Sequence, residues 1–312
     1  MIKIEKSNTN KAWVKLLNKI SPFAAKKTIY YLQKTRFFYA WKSRSDEAKA
    51  DIEDFFKTMP LFTHIEIETL NRCNGTCPFC PVNKNDDPRP LAKMTNETFK
   101  KIIDNLAKLE FNGRVCYFSN NEPLMDNRII EFIKYGSQKI PNAISDIVSN
   151  GTLLNEEKFQ ELIDSGLNKL VVDNYSDNLE LNQNIQKIYE KYKDEKFGMD
   201  CKIHIRFANQ ILSSRGGEAP NKKTAKKILA APCFLPFDQL VIRPDGNVSL
   251  CCNDALGKIT LGNVNEQTLE EIWYGEKHIN ILKDMRENMR NNISICKNCD
   301  MIATKKHNLF YG

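Results

Sequence analysis

Apolar and polar positions along this chain follow two periods in turn. Residues 64–70 switch character at every step, the period of a strand, and a polar, proline-rich loop follows over 71–93. Residues 95–109 read as a helix that opens on a capping pattern at Thr95 and Thr98 near Glu97. The alternation continues with strand 114–119, helix 127–139, strand 143–149, helix 156–166 ending at Gly166, strand 168–174, helix 181–192 and strand 200–207. Strands and helices in strict alternation predict a parallel sheet wound by right-handed crossovers. Five or six such units fall short of a closed eight-unit barrel. The expected fold is therefore α/β, a partial (β/α)6 TIM-like barrel with its chemistry at the C-terminal ends of the strands.

The pattern differs on either side of this core. Residues 11–58 read as helices carrying aliphatic and aromatic stripes (Trp13, Leu16, Leu17, Ile20, then Tyr30, Tyr31, Phe37, Phe38, Trp41), with a break at Ser21-Pro22. Beyond the Gly/Ser/Lys-rich connection 213–223, two β-rich runs joined by Pro244-Asp245-Gly246 predict a hairpin, followed by a helix over 268–289. The expected division is a basic helical N-terminal extension (1–60), the barrel (61–225) and a compact C-terminal module (226–312).

Charge separates the extension from the rest. The chain of 312 residues has a net charge of +7, and residues 1–60, with 13 Lys/Arg against 6 Asp/Glu, account for all of it. A neutral main body argues against nucleic-acid binding, which needs a basic surface across the domain. No apolar run approaches the roughly 18–20 residues of a membrane span, and the N-terminus lacks a secretory pattern, so a cytoplasmic location is expected. In a reducing compartment, ten cysteines point to metal binding or catalysis rather than to a disulfide framework. Cys116 and Cys201 lie within strand patterns and are expected in the core.

Cys73, Cys77 and Cys80 form a C-x3-C-x2-C set in the loop after the first strand. Three thiolates can hold three irons of a four-iron cluster, which takes four ligands when fully coordinated. The motif and its place resemble the radical S-adenosylmethionine (SAM) superfamily. That resemblance implies that SAM chelates the fourth iron and is split to a 5′-deoxyadenosyl radical. It also implies that Phe79 packs the adenine. Asn120-Asn121-Glu122-Pro123, after the second strand, stands where the family has Gly-Gly-Glu-Pro. Glu122 and Pro123 match that segment, which binds the methionine amino group, and Asn120 and Asn121 depart from it as candidate backbone contacts. Ser149-Asn150-Gly151-Thr152 resembles the ribose-binding segment, and Arg206 is a candidate for the cofactor carboxylate.

Five further cysteines lie near the C-terminus. Cys233, Cys251, Cys296 and Cys299, in a C-x12-G-x4-C pattern followed by C-x2-C, resemble the SPASM auxiliary-cluster module in its short Twitch form. The resemblance implies a second four-iron cluster on those four cysteines. A slip of one residue would make Cys252 the ligand instead of Cys251, and zinc is the alternative metal at both sets. A free Cys252 is either a buried thiol or a hydrogen-atom donor beside the substrate, and Arg215 is either a substrate-binding group or a surface arginine. The arrangement is similar to that of inosamine dehydrogenases of aminoglycoside biosynthesis. It implies hydrogen abstraction from a small polar sugar- or aminocyclitol-like substrate, followed by oxidation or epimerisation. The alternative is a maturase acting on a ribosomally made peptide. In either case a flavodoxin- or ferredoxin-type protein is the expected electron donor.

Overall fold

The computed structural model describes residues 1–6, 42–222 and 228–306. Its centre is a nine-stranded sheet in the order β1-β6-β5-β4-β3-β2-β7-β8-β9. The strands are β1 (Ile2–Lys6), β2 (His64–Ile67), β3 (Arg114–Cys116), β4 (Ile144–Ser149), β5 (Lys169–Tyr175), β6 (Asp200–Arg206), β7 (Gln239–Ile242), β8 (Asn247–Ser249) and β9 (Thr260–Asn263). Every pairing from β1 across to β7 is parallel; β7–β8 and β8–β9 are antiparallel.

The crossover helices are α2 (Asn96–Lys108), α3 (Ile129–Lys139), α4 (Glu156–Asp164) and α5 (Gln183–Tyr192). Their starts follow from local chemistry. The side chains of Thr95, Asn155 and Asn182 each accept a hydrogen bond from a first-turn N–H of the helix that follows. One apolar stripe per helix is buried; in α2 it is Phe99, Ile102, Ile103 and Leu106. Phe99 and Phe132 stack at 4.0 Å and join α2 to α3.

The N-terminus departs from its helical expectation. Ile2–Lys6 is a strand, and it pairs with β6 over its whole length as the sixth strand of the partial barrel. The signal was present in the Ile-Lys-Ile-Glu alternation, but five residues are too short for a period to stand out. Residues 42–58 are helical and form α1. Trp13 to Trp41 and the Ser21-Pro22 break lie outside the described residues. The C-terminal hairpin is β7–β8, and β7 joins the parallel sheet beside β2. The helix expected over 268–289 is two, α6 (Leu269–Trp273) and α7 (Glu276–Arg286), separated at Gly275.

The alternation of each barrel strand divides apolar from polar residues. Ile65, Ile67, Val115, Ile147, Leu170, Val172, Ile203 and Ile205 belong to the core that includes the helices. The opposite face carries His64, Glu66, Arg114, Asp173 and Arg206, which line a cavity at the rim of the barrel. Both faces are covered, so these polar groups are placed where they need partners.

Candidate active site

The cavity has a volume of about 540 Å³ and draws on the loops after β2, β3 and β4. Cys73, Cys77 and Cys80 line it, as do Phe79, Asn120, Asn121, Glu122, Ser149, Asn150 and Arg206. The three loops are knitted together by short polar bonds. Glu122 accepts from Ser149 Oγ at 2.7 Å, from the Asn150 N–H at 2.8 Å and from the Leu124 N–H at 3.2 Å. Its own N–H donates to the Arg72 carbonyl beside Cys73 at 2.9 Å. Asn150 Nδ2 donates to Asn74 Oδ1, and Asn74 Nδ2 donates to Thr152 Oγ1, both at 2.8 Å. Pro123 opens the one-turn helix that carries this loop away from the cavity.

The trio suits an iron–sulfur cluster. Gly75 lies between its cysteines, and a Cβ there would sit 3.3 Å from Cys73 Sγ and 3.8 Å from Cys77 Sγ, so a side chain would occupy the cradle. Burial pushes the Cys73 thiol up to about 12 and the Cys77 thiol up to about 11, with their neighbouring thiols adding to the rise. Three thiolates are stable together in this setting only against a strong positive charge. Asn121 Nδ2 is buried in the same cavity wall with no partner, a donor with capacity for a ligand.

Phe79 packs against Tyr175 with ring centroids 5.2 Å apart. Arg206 sits at the end of β6 and pairs with Asp173 at 3.1 Å, so part of its donor capacity is already engaged. His204 Nδ1 lies 2.9 Å from the same carboxylate oxygen and 3.1 Å from Arg206 NH2, and the far nitrogen of that ring faces Glu5 of β1 at 3.4 Å.

The second set of cysteines is divided. Cys233, Cys251, Cys296 and Cys299 line one narrow cleft, whereas Cys252 lines the barrel cavity. In the cleft, burial and mutual repulsion drive the thiols of Cys251 and Cys296 upward. The Arg290 guanidinium, nearly fully buried, lies among them with Nε unpartnered, which suits an anionic cluster. Arg215 lines the barrel cavity, and its NH1 donates to the Cys252 carbonyl at 3.3 Å. Cys201 is a core residue; Cys116 is buried too, but its Sγ lies 3.0 Å from His64 Nε2.

Sequence reasoning missed the floor of the cavity. Glu66 accepts from Ser119 Oγ at 2.6 Å, and His64 Nε2 lies 3.6 Å from its other oxygen. Burial raises the Glu66 carboxyl to about 7, against the lowering effects of Ser119, Arg114, Arg243 and Arg215. His64 Nδ1 and Gln239 Nε2 are buried in the cavity wall without partners. The available signal was a strand buried on both faces that still alternated polar residues.

Glu66 has a consequence for stability. A carboxyl whose folded pKa lies above its ordinary 4.5 binds more protons in the folded state, so stability falls as pH rises from about 4.5 to about 7. Glu66→Gln is expected to match the wild type near pH 4.5 and to exceed it above pH 7 by a few kcal/mol at most. Anaerobic denaturant titrations at the two pH values check this; an equal difference at both would contradict it.

Comparisons agree with this geometry. Residues 67–197 match the radical SAM superfamily, and residues 233–300 match the SPASM iron–sulfur cluster-binding domain. The chain belongs to the radical SAM superfamily. It is a radical SAM enzyme of oxidoreductase type, with SAM and iron–sulfur clusters as its cofactors. It is 29% identical over 247 residues to the S-adenosyl-L-methionine-dependent 2-deoxy-scyllo-inosamine dehydrogenase of Niallia circulans, covering 78% of this chain and 95% of that one. A crystal structure of BtrN with AdoMet and 2-DOIA superposes with a TM-score of 0.68 at 26% identity, over 79% of this chain and 96% of that one. BtrN in an open conformation gives 0.59 at 26% identity, over 79% of this chain and 95% of that one. The PqqA peptide cyclase of Gluconobacter oxydans is 26% identical over 103 residues, 33% of this chain and 27% of that one. Among the described residues no helix is long and apolar enough to cross a membrane.

Proposed function

We propose that this radical SAM enzyme oxidises a carbinol carbon of a small aminocyclitol- or sugar-like molecule to a ketone. The observation that carries the reading is the likeness to 2-deoxy-scyllo-inosamine dehydrogenase along 95% of that enzyme's length. The peptide cyclase matches over 27% of its length and lends the maturase alternative less support.

In this reading Cys73, Cys77 and Cys80 hold the first four-iron cluster, and Cys233, Cys251, Cys296 and Cys299 hold the auxiliary one. When bound, the first cluster and SAM supply a 5′-deoxyadenosyl radical that takes hydrogen from substrate carbon, and the auxiliary cluster supplies a one-electron acceptor. The protein's part is to place and hold. Phe79 walls the adenine, and Glu122, Pro123, Asn120 and Asn121 shape the methionine end. Ser149 and Asn150 face the ribose, and Arg206 faces the carboxylate. His64, Gln239, Arg114 and Glu66 offer donors and acceptors suited to hydroxyl groups. Oxidation requires the substrate's O–H bond to break as the carbonyl forms, and Glu66, buried and raised to about 7, takes that proton on a carboxylate oxygen. Arg215 binds a substrate hydroxyl at the opposite wall. Electrons arrive from a flavodoxin- or ferredoxin-type donor in the cytoplasm.

Cys252 separates oxidation from epimerisation. In an epimerase it would return a hydrogen atom to the substrate carbon; in the proposed oxidation it only packs. The test uses anaerobically reconstituted protein, dithionite, SAM and 2-deoxy-scyllo-inosamine deuterated at its ring carbons. Deuterium in 5′-deoxyadenosine together with a ketone product, both retained in Cys252→Ala, is the expected result. Label-free 5′-deoxyadenosine would overturn the substrate class. A product carrying solvent hydrogen, lost in Cys252→Ala, would replace oxidation by epimerisation.

A further inference from the structure

Three neighbouring parallel strands begin side by side at the floor of the barrel cavity. His64 opens β2, and in the register of the sheet its neighbours are Arg114 of β3 and Gln239 of β7. All three line the cavity. His64 and Gln239 are 7% and 1% exposed. Each holds one buried nitrogen, His64 Nδ1 and Gln239 Nε2, that has no hydrogen-bond partner among the described residues. Such nitrogens are uncommon in a folded protein. Two of them on register neighbours, in the wall of one cavity, point to a ligand group that reaches both.

The other ring nitrogen of His64 is already engaged. Nε2 lies 3.0 Å from Cys116 Sγ and 3.6 Å from Glu66 Oε1. Burial, with Arg114 adding to it, lowers His64 to about 3, so the ring is uncharged at neutral pH and carries one N–H. With that proton on Nε2, Nδ1 accepts; with the Cys116 thiol donating to Nε2, Nδ1 donates. Gln239 Nε2 donates in both cases. A hydroxyl meets either arrangement, because its oxygen accepts from Gln239 and either accepts from Nδ1 or donates to it. An ammonium has donors only and would leave the Gln239 N–H bare. Glu66, the carboxyl beside them, is held on its other oxygen by Ser119 Oγ at 2.6 Å.

We infer that His64 Nδ1 and Gln239 Nε2 form a hydroxyl-specific subsite at the cavity floor, which seats a ring hydroxyl of the substrate and turns its amino group away. The inference rests on the aminocyclitol- or sugar-like reading of the substrate and adds to it the orientation of the ring. His64 and Gln239 are then specificity-determining residues, and an amine or a methylene in place of that hydroxyl leaves the floor unpaired.

The test is anaerobic calorimetric titration of the reconstituted holoenzyme with SAM but no reductant, so that binding is read without turnover. The probes are 2-deoxy-scyllo-inosamine and the amine-free ring scyllo-inositol. Gln239→Leu and His64→Phe are each expected to weaken both probes about tenfold, the loss of one buried hydrogen bond. Gln239→Glu, which replaces the donor by a carboxylate, is expected to shift the preference toward the amine-bearing ring. Equal affinities in wild type and Gln239→Leu would assign the two nitrogens to structural water and overturn the inference alone. A loss confined to the amine-bearing ring, or an amine-free ring that does not bind, would assign the floor to the amine and also overturn it. A wild type that binds neither probe would overturn the aminocyclitol reading and the inference with it. Should His64→Phe lose its iron, Gln239→Leu decides by itself, since it removes an unpartnered donor and is expected to be no less stable than the unliganded wild type.

Discussion

Replacing Cys77 by alanine is expected to leave about four of roughly eight irons in the reconstituted protein and to abolish 5′-deoxyadenosine formation. Cys77 and Cys80 are the two ends of one tight turn, with the Cys80 N–H donating to the Cys77 carbonyl at 3.1 Å. Cys73 lies across the Gly75 cradle from them. Two thiolates cannot hold the cluster in the geometry that three define, and among the described residues the one further cysteine that lines this cavity is Cys252, whose carbonyl is held by Asn120 and Arg215. The auxiliary irons, bound by a separate cleft, should be retained. Iron analysis and chromatography of the reaction mixture check both parts. Full activity in Cys77→Ala would remove the first cluster from the account.

Replacing Glu68 by alanine is expected to destabilise the fold by about 3–5 kcal/mol. Glu68 is fully buried at the C-terminal end of the first barrel strand, between two arginines from distant parts of the chain. Arg89 NH1 lies 3.1 Å from one carboxylate oxygen, and Arg243 NH1 lies 3.0 Å from the other. Arg89 comes from the cluster loop and also donates to the carbonyls of Asn71 and Asn120. Arg243 closes the β7–β8 hairpin and holds Ser249 Oγ at 2.9 Å. Loss of Glu68 leaves the buried Arg243 without its ion-pair partner at the junction of barrel and auxiliary module, while Arg89 keeps Asp87 at 2.9 Å. Anaerobic thermal or denaturant unfolding measures the cost, and a loss below about 1 kcal/mol, the level of an exposed pair, would contradict it.

Much of this was legible along the chain because the signals were local. Helix starts at Thr95, Asn155 and Asn182 are written within four residues of each boundary, and the Pro-Asp-Gly turn sets the hairpin by itself. Cysteine spacing divided the two cysteine sets, and the structure places Cys251 in the cleft with Cys233, Cys296 and Cys299 while Cys252 lines the barrel cavity. What stayed hidden depends on contacts between distant residues. The sixth barrel position is filled by Ile2–Lys6, nearly 200 residues from its partner β6, and no local pattern announces such a pairing. The cavity floor combines Glu66, Arg114 and Gln239 from three strands. Each looks like an ordinary polar residue until the sheet order makes them neighbours. Arg215 was visible as a residue type, but its left-handed backbone and its place between two cysteine loops appear only in three dimensions.

The EPR spectrum of the reduced, anaerobic protein, recorded before and after addition of SAM, tests the central claim most directly. If three thiolates leave one iron of the first cluster open to the cofactor, SAM should perturb one signal, the one missing from Cys77→Ala, and leave the auxiliary signal as it was. A spectrum indifferent to SAM, or a perturbation confined to the cluster at Cys233, Cys251, Cys296 and Cys299, would contradict it.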